Sequence, residues 1–319
     1  MKYLTLRYLK PIIGLLFISF IFFLLFQKID IHSFINSFTT FNLFFLIPAV
    51  VFLYLCYFMN LIRWKVLLNP TYEIPISKLI VPMSIGYSSN AVLFHSGDLL
   101  KFIVLKKYFE IEIDKCVGSL FVEKFLDFSI LIVFFVLVLL SNIELVNLII
   151  PSANYITFAF LSLFLFTFII LLFYPTAILN VFKFTSSRFT LLSKVTKNLE
   201  NFLTYFKNID TKSLIYCVLL AILSNIFMIA SIYYIAEGFH LLLKLQDVTT
   251  VFVANSLSIT LSPAPSGTGL WHYFSQYLLV HIYKTDYSAA LSFAILTHSL
   301  YLLTKVSLGF TIFIPRLKK

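Results

Sequence analysis

The sequence predicts an all-α polytopic membrane bundle of six full spans and two broken or re-entrant helical segments, and three observations carry that prediction. Hydrophobic residues make up 60% of the 319 positions and charged residues 12%, with a mean hydropathy of +0.96; soluble domains are about a quarter charged. Several apolar runs approach the roughly 20 residues that a bilayer core requires. Most of the 24 lysines and arginines lie in short segments between those runs, where cations set topology. The net charge of +10 therefore points to a membrane, and nucleic acid is not an expected partner. Cys56, Cys116 and Cys217 fall within or at the edge of apolar runs. Their spacing indicates neither a disulfide framework nor a metal site, and no cofactor is expected.

The first span is Pro11 to Phe26, preceded by Lys2, Arg7 and Lys10. It resembles a signal peptide, but no small-residue cleavage pattern follows, so it reads as an uncleaved transmembrane helix. The second runs from about Asn42 to Ile62 and ends at Arg63, Trp64 and Lys65, a ring and two cations suited to the headgroup layer. Ile74 to Lys107 is apolar but punctuated by Pro75, Pro82, Gly86, Asn90 and Gly97. Irregular backbone at membrane depth requires cover from protein or a water-filled cavity, which predicts two half-helices. The bland alternative is an ordinary span plus an interfacial helix.

Cys116 to Leu140 and Tyr155 to Phe173 form the next spans. Pro175 to Lys212 is the one sizeable polar connection, with Lys183, Arg188, Lys194, Lys197, Lys207 and Lys212 among apolar residues, a pattern suited to an amphipathic segment on an anionic surface. Ser213 to Ala236 spans again, with Asn225 as a candidate interhelical contact. Asp247 to Ile282 repeats the interruption, broken at Ser262 to Gly269, and Tyr287 to Ile314 is the last span. The chain reads as a single integral membrane domain over residues 1–319.

Counting cations places both termini on the cytoplasmic side of the plasma membrane. In that topology the first broken segment enters from the inside and the second from the outside. Inverted-repeat transporters share this arrangement, although no internal sequence repeat accompanies it here.

Ionisable residues at membrane depth are expensive and by default functional. Glu123 and Asp127 are four apart and share a helix face, with Lys124 turned about a quarter of a circle away. They suit binding of a cationic headgroup, proton acceptance, or pairing with Lys305 or a cation of the first broken segment; the structural reading is an ion-pair cluster holding helices together. Asp98 and Lys101 either form a local salt bridge or serve a lipid phosphate, with Gly97 allowing close approach. His95 is either a proton carrier or, the favoured reading, a simple hydrogen-bond donor at the break, and Asn90 precedes it there. Gly267 and Gly269 admit a second backbone or a headgroup. His272 meets a substrate phosphate or an acid, or is a satisfied structural group. Lys305 either snorkels to the surface or turns inward toward Glu123 or Asp127, and His298 shares its face. No H-E-x-x-H, G-x-S-x-G or P-loop occurs.

Taken together, Arg63-Trp64-x-x-Leu67-Leu68, Gly86-x-x-x-Asn90, Gly97-Asp98-x-x-Lys101, Glu123-Lys124-x-x-Asp127 and Pro265-Ser266-Gly267-x-Gly269-x-x-His272 resemble the lysylphosphatidylglycerol synthase transmembrane-region family, over nearly the whole chain. The resemblance implies a flippase-like membrane protein. Phe94 and His95 stand where the family usually has proline and arginine, Lys101 where it has arginine, Ser266 where it has the first glycine of a pair, and His272 where many members have glutamate. The soluble aminoacyl-transferring domain of the larger members is absent, so lysyl transfer is not implied.

The expectation is a lipid flippase or lipid-binding transporter, with Asn90, Asp98, Lys101, Glu123, Asp127, Gly267, Gly269, His272 and Lys305 as substrate-binding or transport residues. Its expected partners are membrane lipids and a lipid-modifying or glycosyltransferase enzyme. The alternative is an intramembrane enzyme or glycosyltransferase-associated factor acting on a polyprenyl-linked or phospholipid substrate. A non-transporting scaffold for a partner synthase is a third reading.

Overall fold

The computed structural model describes residues 2–68, 73–92, 96–109, 113–141, 205–206 and 208–310. Ten α-helices occur among them: α1 (Lys2–Phe26), α2 (Ile31–Thr39), α3 (Leu46–Leu68), α4 (Ile76–Val92), α5 (Gly97–Phe109), α6 (Ile113–Ser141), α7 (Thr211–Gly238), α8 (Leu245–Leu261), α9 (Leu270–Tyr277) and α10 (Tyr287–Gly309). No strand occurs among the described residues. The expected span Tyr155 to Phe173, nearly all of the amphipathic connection Pro175 to Lys212, and His95 lie outside them.

Among the described residues four stretches are long and apolar enough to cross a membrane: Leu43–Leu68, Val117–Ser141, Thr211–Gly238 and Tyr287–Gly309. A fifth is a bent pair, Gly14–Phe26 followed by Ile31–Thr39 at 93°. The expected first span therefore turns sharply where its apolar run ends at Gln27 and Lys28. Asp30 starts the new helix: its carboxylate accepts from the Ser33 N–H at 2.9 Å and the Ser33 hydroxyl at 2.6 Å, satisfying a donor that a helix start leaves free.

The chain divides into two compact units. The first comprises Met1–Met59, Ser77–Val104 and Leu223–Lys319; the second comprises Asn60–Ile76 and Leu105–Ile222. In the first unit, Ile21, Leu25 and Leu291 form a buried cluster with Phe17, Phe22, Phe34 and Ile295 around it, packing α1 and α2 on α10. Edge-on rings continue the core from Phe34 through Phe38 and Phe239 to Phe293. Each large ring buried here removes much apolar area from contact with polar surroundings and interlocks the helices.

The second unit is built around Leu67, Val122, Leu126, Tyr205, Phe206, Ile209 and Cys217. The Tyr205 hydroxyl donates to the Leu67 carbonyl. Its ring lies on Gly118, where a Cβ would collide with it.

Candidate functional site

In the first unit both helix interruptions are present, and they meet. The first falls between α4 and α5. Asn90, near the end of α4, turns its side-chain oxygen to the Gly97 N–H at 2.7 Å and so caps the start of α5. Gly86 lies one turn before Asn90, and its backbone is close-packed on Gly97. A Cβ on Gly97 would collide with the Gly86 carbonyl and with the Asn90 side chain. The motif Gly86-x-x-x-Asn90 followed by Gly97 is therefore a hairpin brace: two glycines for contact and one asparagine for the freed donor.

The second interruption separates α8 from α9. Ser262 folds back on it, accepting from the Ala264 N–H at 3.0 Å and donating to the Thr268 carbonyl at 3.3 Å. Ser266, Gly267 and Gly269 all have positive φ, at 53°, 81° and 90°. Glycine adopts this region freely, whereas a non-glycine residue is strained by roughly 1–2 kcal/mol. At Ser266 the strained turn aims the side chain outward: its hydroxyl donates to the Asn90 carbonyl at 3.0 Å. The residue that caps one break thus also receives the other.

α10 closes this arrangement. His298 Nε2 is 3.1 Å from the Ser266 carbonyl; a carbonyl only accepts, so Nε2 carries the proton. His272 Nδ1 accepts from the Gly269 N–H at 3.4 Å, which leaves Nε2 as the protonated nitrogen of the neutral ring. The two imidazoles meet edge to face at 4.7 Å. Trp271 stacks on Tyr301 at 5.1 Å and donates to the Thr297 hydroxyl at 3.3 Å. The Lys305 ammonium donates to the Tyr301 hydroxyl at 2.5 Å and lies 3.9 Å from the ring centroid, a cation–π geometry. His272, His298 and Lys305 are between 2% and 6% exposed. Three further polar atoms in this unit, the Tyr57 hydroxyl, Asn255 Nδ2 and the Tyr283 hydroxyl, are buried without a hydrogen-bond partner among the described residues.

Asp98 and Lys101 form the local pair expected from their spacing, at 3.3 Å, in the first turn of α5. Lys101 is 3% exposed and lies against the Phe102 ring.

The second unit holds the carboxylates. Asp127 on α6 pairs with Arg63 on α3 at 2.6 Å, the arginine buried and the aspartate side chain 42% exposed. Glu123, one turn earlier, is buried, and Lys124 is exposed. The cation found on Asp127 is thus Arg63, which the sequence places among headgroup anchors. Both Arg63 and Trp64 are enclosed by protein, at 2% and 0% exposure.

Of the sequence-selected residues, Asn90, Gly267, Gly269 and His272 come together around the joined breaks. Asp98 and Lys101 follow the cap on α5, Lys305 lies farther along α10, and Glu123 and Asp127 belong to the second unit. Ser266, His298, Tyr301 and Arg63 complete these contacts and were missed as site residues. A signal for His298 and Tyr301 was available: with Lys305 they recur at i, i+3 and i+7, a single helix face. Ser266 offered only its non-glycine identity beside two glycines. Among the described residues no group of three or more His, Cys, Asp or Glu side chains is placed to hold a metal ion.

The family model described as Lysylphosphatidylglycerol synthase TM region matches residues 12–309. No curated protein and no solved structure matches the chain significantly.

Proposed function

The chain belongs to the lysylphosphatidylglycerol synthase TM region family and is an integral, multi-pass membrane protein; from that premise we propose that it is a flippase-like transporter that binds a lipid headgroup and moves it across the plasma membrane. The observation that carries this reading is the Ser266 to Asn90 hydrogen bond, which joins two interrupted helices at a point lined by His272 and His298. Interrupted helices place backbone donors and acceptors at membrane depth, where transporters use them to hold polar cargo. Buried His272, His298 and Lys305 on an apolar background fit the same role. Asn90, Gly267, Gly269 and His272 would line the headgroup path, Asp98 and Lys101 would meet a phosphate at the start of α5, and Lys305, Glu123 and Asp127 would govern charge.

The proposal extends to a topology of six spans with two re-entrant segments, both termini cytoplasmic, and one functional domain over the whole chain. Its partners are membrane lipids and a lipid-modifying or glycosyltransferase enzyme.

Reconstitution into liposomes with headgroup-labelled phospholipids tests the reading. The expected result is protein-dependent movement of intact lipid between leaflets, reduced at least tenfold in N90A and in H298A at equal amounts of folded protein. A chemically altered lipid in the mass spectrum, without movement, would replace the transporter by an intramembrane enzyme.

A further inference from the structure

The first unit carries a second polar feature away from the joined breaks. An open cavity of about 180 Å³ lies between the end of α1, the end of α9 with the turn that follows it, and the start of α10. Drug-sized sites run to about 300–1,000 Å³, so this one has room for a headgroup and not for a whole lipid. Its polar lining includes Lys28, Tyr273, Gln276, Tyr277, His281 and Tyr287.

These residues are placed by a specific local device. α9 continues into a π-helical turn, Leu278–Ile282, a conformation that recurs at functional sites. His281 sits within it, its ring 4.6 Å from that of Tyr277. Gln276 is buried, donates to the Tyr287 carbonyl at 3.3 Å, and ties this end of α9 to α10. The Lys28 ammonium lies over the Tyr287 ring at 5.3 Å and reaches its hydroxyl at 3.4 Å, leaving donors for a ligand. The Lys284 ammonium is exposed and donates to the carbonyl of His281, a lining residue, at 2.8 Å.

Charge decides the ligand class. No carboxylate lines the cavity. The acids nearest in sequence, Asp30 and Asp286, are engaged as caps of α2 and α10. The Lys28 ammonium and tyrosine hydroxyls, with no carboxylate in the lining, form a site for an anion. One wall is Leu24, 38% exposed, which continues into the outward-facing Leu16, Phe20 and Phe23 of α1. An aliphatic tail would lie along that face.

We propose that this cavity binds the phosphate of an anionic amphiphile, a phospholipid headgroup, at a site separate from the joined helix breaks, with Lys28 as its principal contact. The proposal does not depend on lipid movement.

The test uses the full-length protein, stripped of lipid in neutral detergent and titrated with phosphatidylglycerol, phosphatidylcholine or glycerol 3-phosphate, with bound molecules counted by native mass spectrometry. Phosphatidylglycerol is expected to bind more tightly than phosphatidylcholine, whose choline the Lys28 ammonium repels. K28Q should weaken its tightest binding about tenfold or more, the scale of one charge-assisted hydrogen bond, and K28R should retain it. A photoreactive residue at Tyr277 should cross-link to phosphatidylglycerol in nanodiscs, which tests the location without disturbing Lys28. Displacement of the lipid by glycerol 3-phosphate, sensitive to K28Q, would uphold the phosphate site and assign its source to soluble esters. Equal binding of the two lipids, or undiminished binding in K28Q together with no cross-link, would overturn the proposal.

Discussion

The two units keep polar groups inside apolar surroundings by different means. In the first, Asn90, Ser266 and His272 sit at helix interruptions and bond to backbone, and His298 on the unbroken α10 bonds to the backbone of the second interruption. In the second, Arg63 and Asp127 lie on the unbroken helices α3 and α6 and bond to each other. An interruption frees backbone donors and acceptors that must be matched, so neutral side chains suffice there. An intact helix has none to offer at mid-length, so the buried Arg63 is matched by a charged side chain on another helix. The first arrangement therefore depends on shape and capping, the second on charge.

Four changes would break or sharpen that contrast. The largest effect is expected at Gly97. In G97A the new Cβ meets the Gly86 backbone, which has no rotamer to yield, and a loss of about 3 kcal/mol follows, the upper range for overpacking. Thermal unfolding in detergent measures it, and an unchanged midpoint would show that the brace is not tight.

D127A comes next. It deprives a buried guanidinium of its aspartate, with an expected loss of about 2 kcal/mol, below the ~3–5 kcal/mol of a fully buried pair because Asp127 is partly solvated. Removing both charges in R63M/D127L should restore most of it. If the double variant is as unstable as D127A, charge pairing is not what holds this contact.

N90A removes the cap of α5 while keeping its backbone carbonyl for Ser266, and about 1 kcal/mol is expected. N90D should recover the cap. The contrast predicts that N90A depends little on added salt, and salt titration of both variants reads this directly.

The smallest effect is at Asp210, just ahead of α7, whose carboxylate accepts from the Ser213 side chain and N–H and is held below the usual carboxylate range by those bonds. A depressed folded-state pKa stabilises above the unfolded value, near 3.9, and that contribution disappears as pH falls through the folded value. The wild type should therefore lose slightly more stability than D210N on acidification through this window. Equal pH profiles would show that the cap contributes nothing.

Much of this was legible in the chain. Composition alone excludes a soluble class. The glycine at 97 and the prolines and glycines at 263, 265, 267 and 269 mark the places where helices are interrupted, because these residues alter local backbone freedom and local sequence reports it, whereas Pro82 and Gly86 lie inside the continuous α4. Spacing also placed Asp98 against Lys101, since three residues on one helix make neighbours without any tertiary help.

The bend after Phe26 was not legible. The apolar run simply ends there, and the 93° turn depends on α2 packing its apolar face on α10. The role of Arg63 was misread for a related reason: a cation at the end of an apolar run has the same sequence signature whether it meets headgroups or a carboxylate on another helix.

By itself the sequence determined the helical membrane class, the family, and the two interruptions, all properties of composition and of residues close along the chain. Only the tertiary structure decided the partners. Ser266 meets Asn90 across 176 positions and Arg63 meets Asp127 on another helix. Such pairings are selected by which helix faces pack together, and an apolar helix with little amphipathic pattern does not declare its faces in advance.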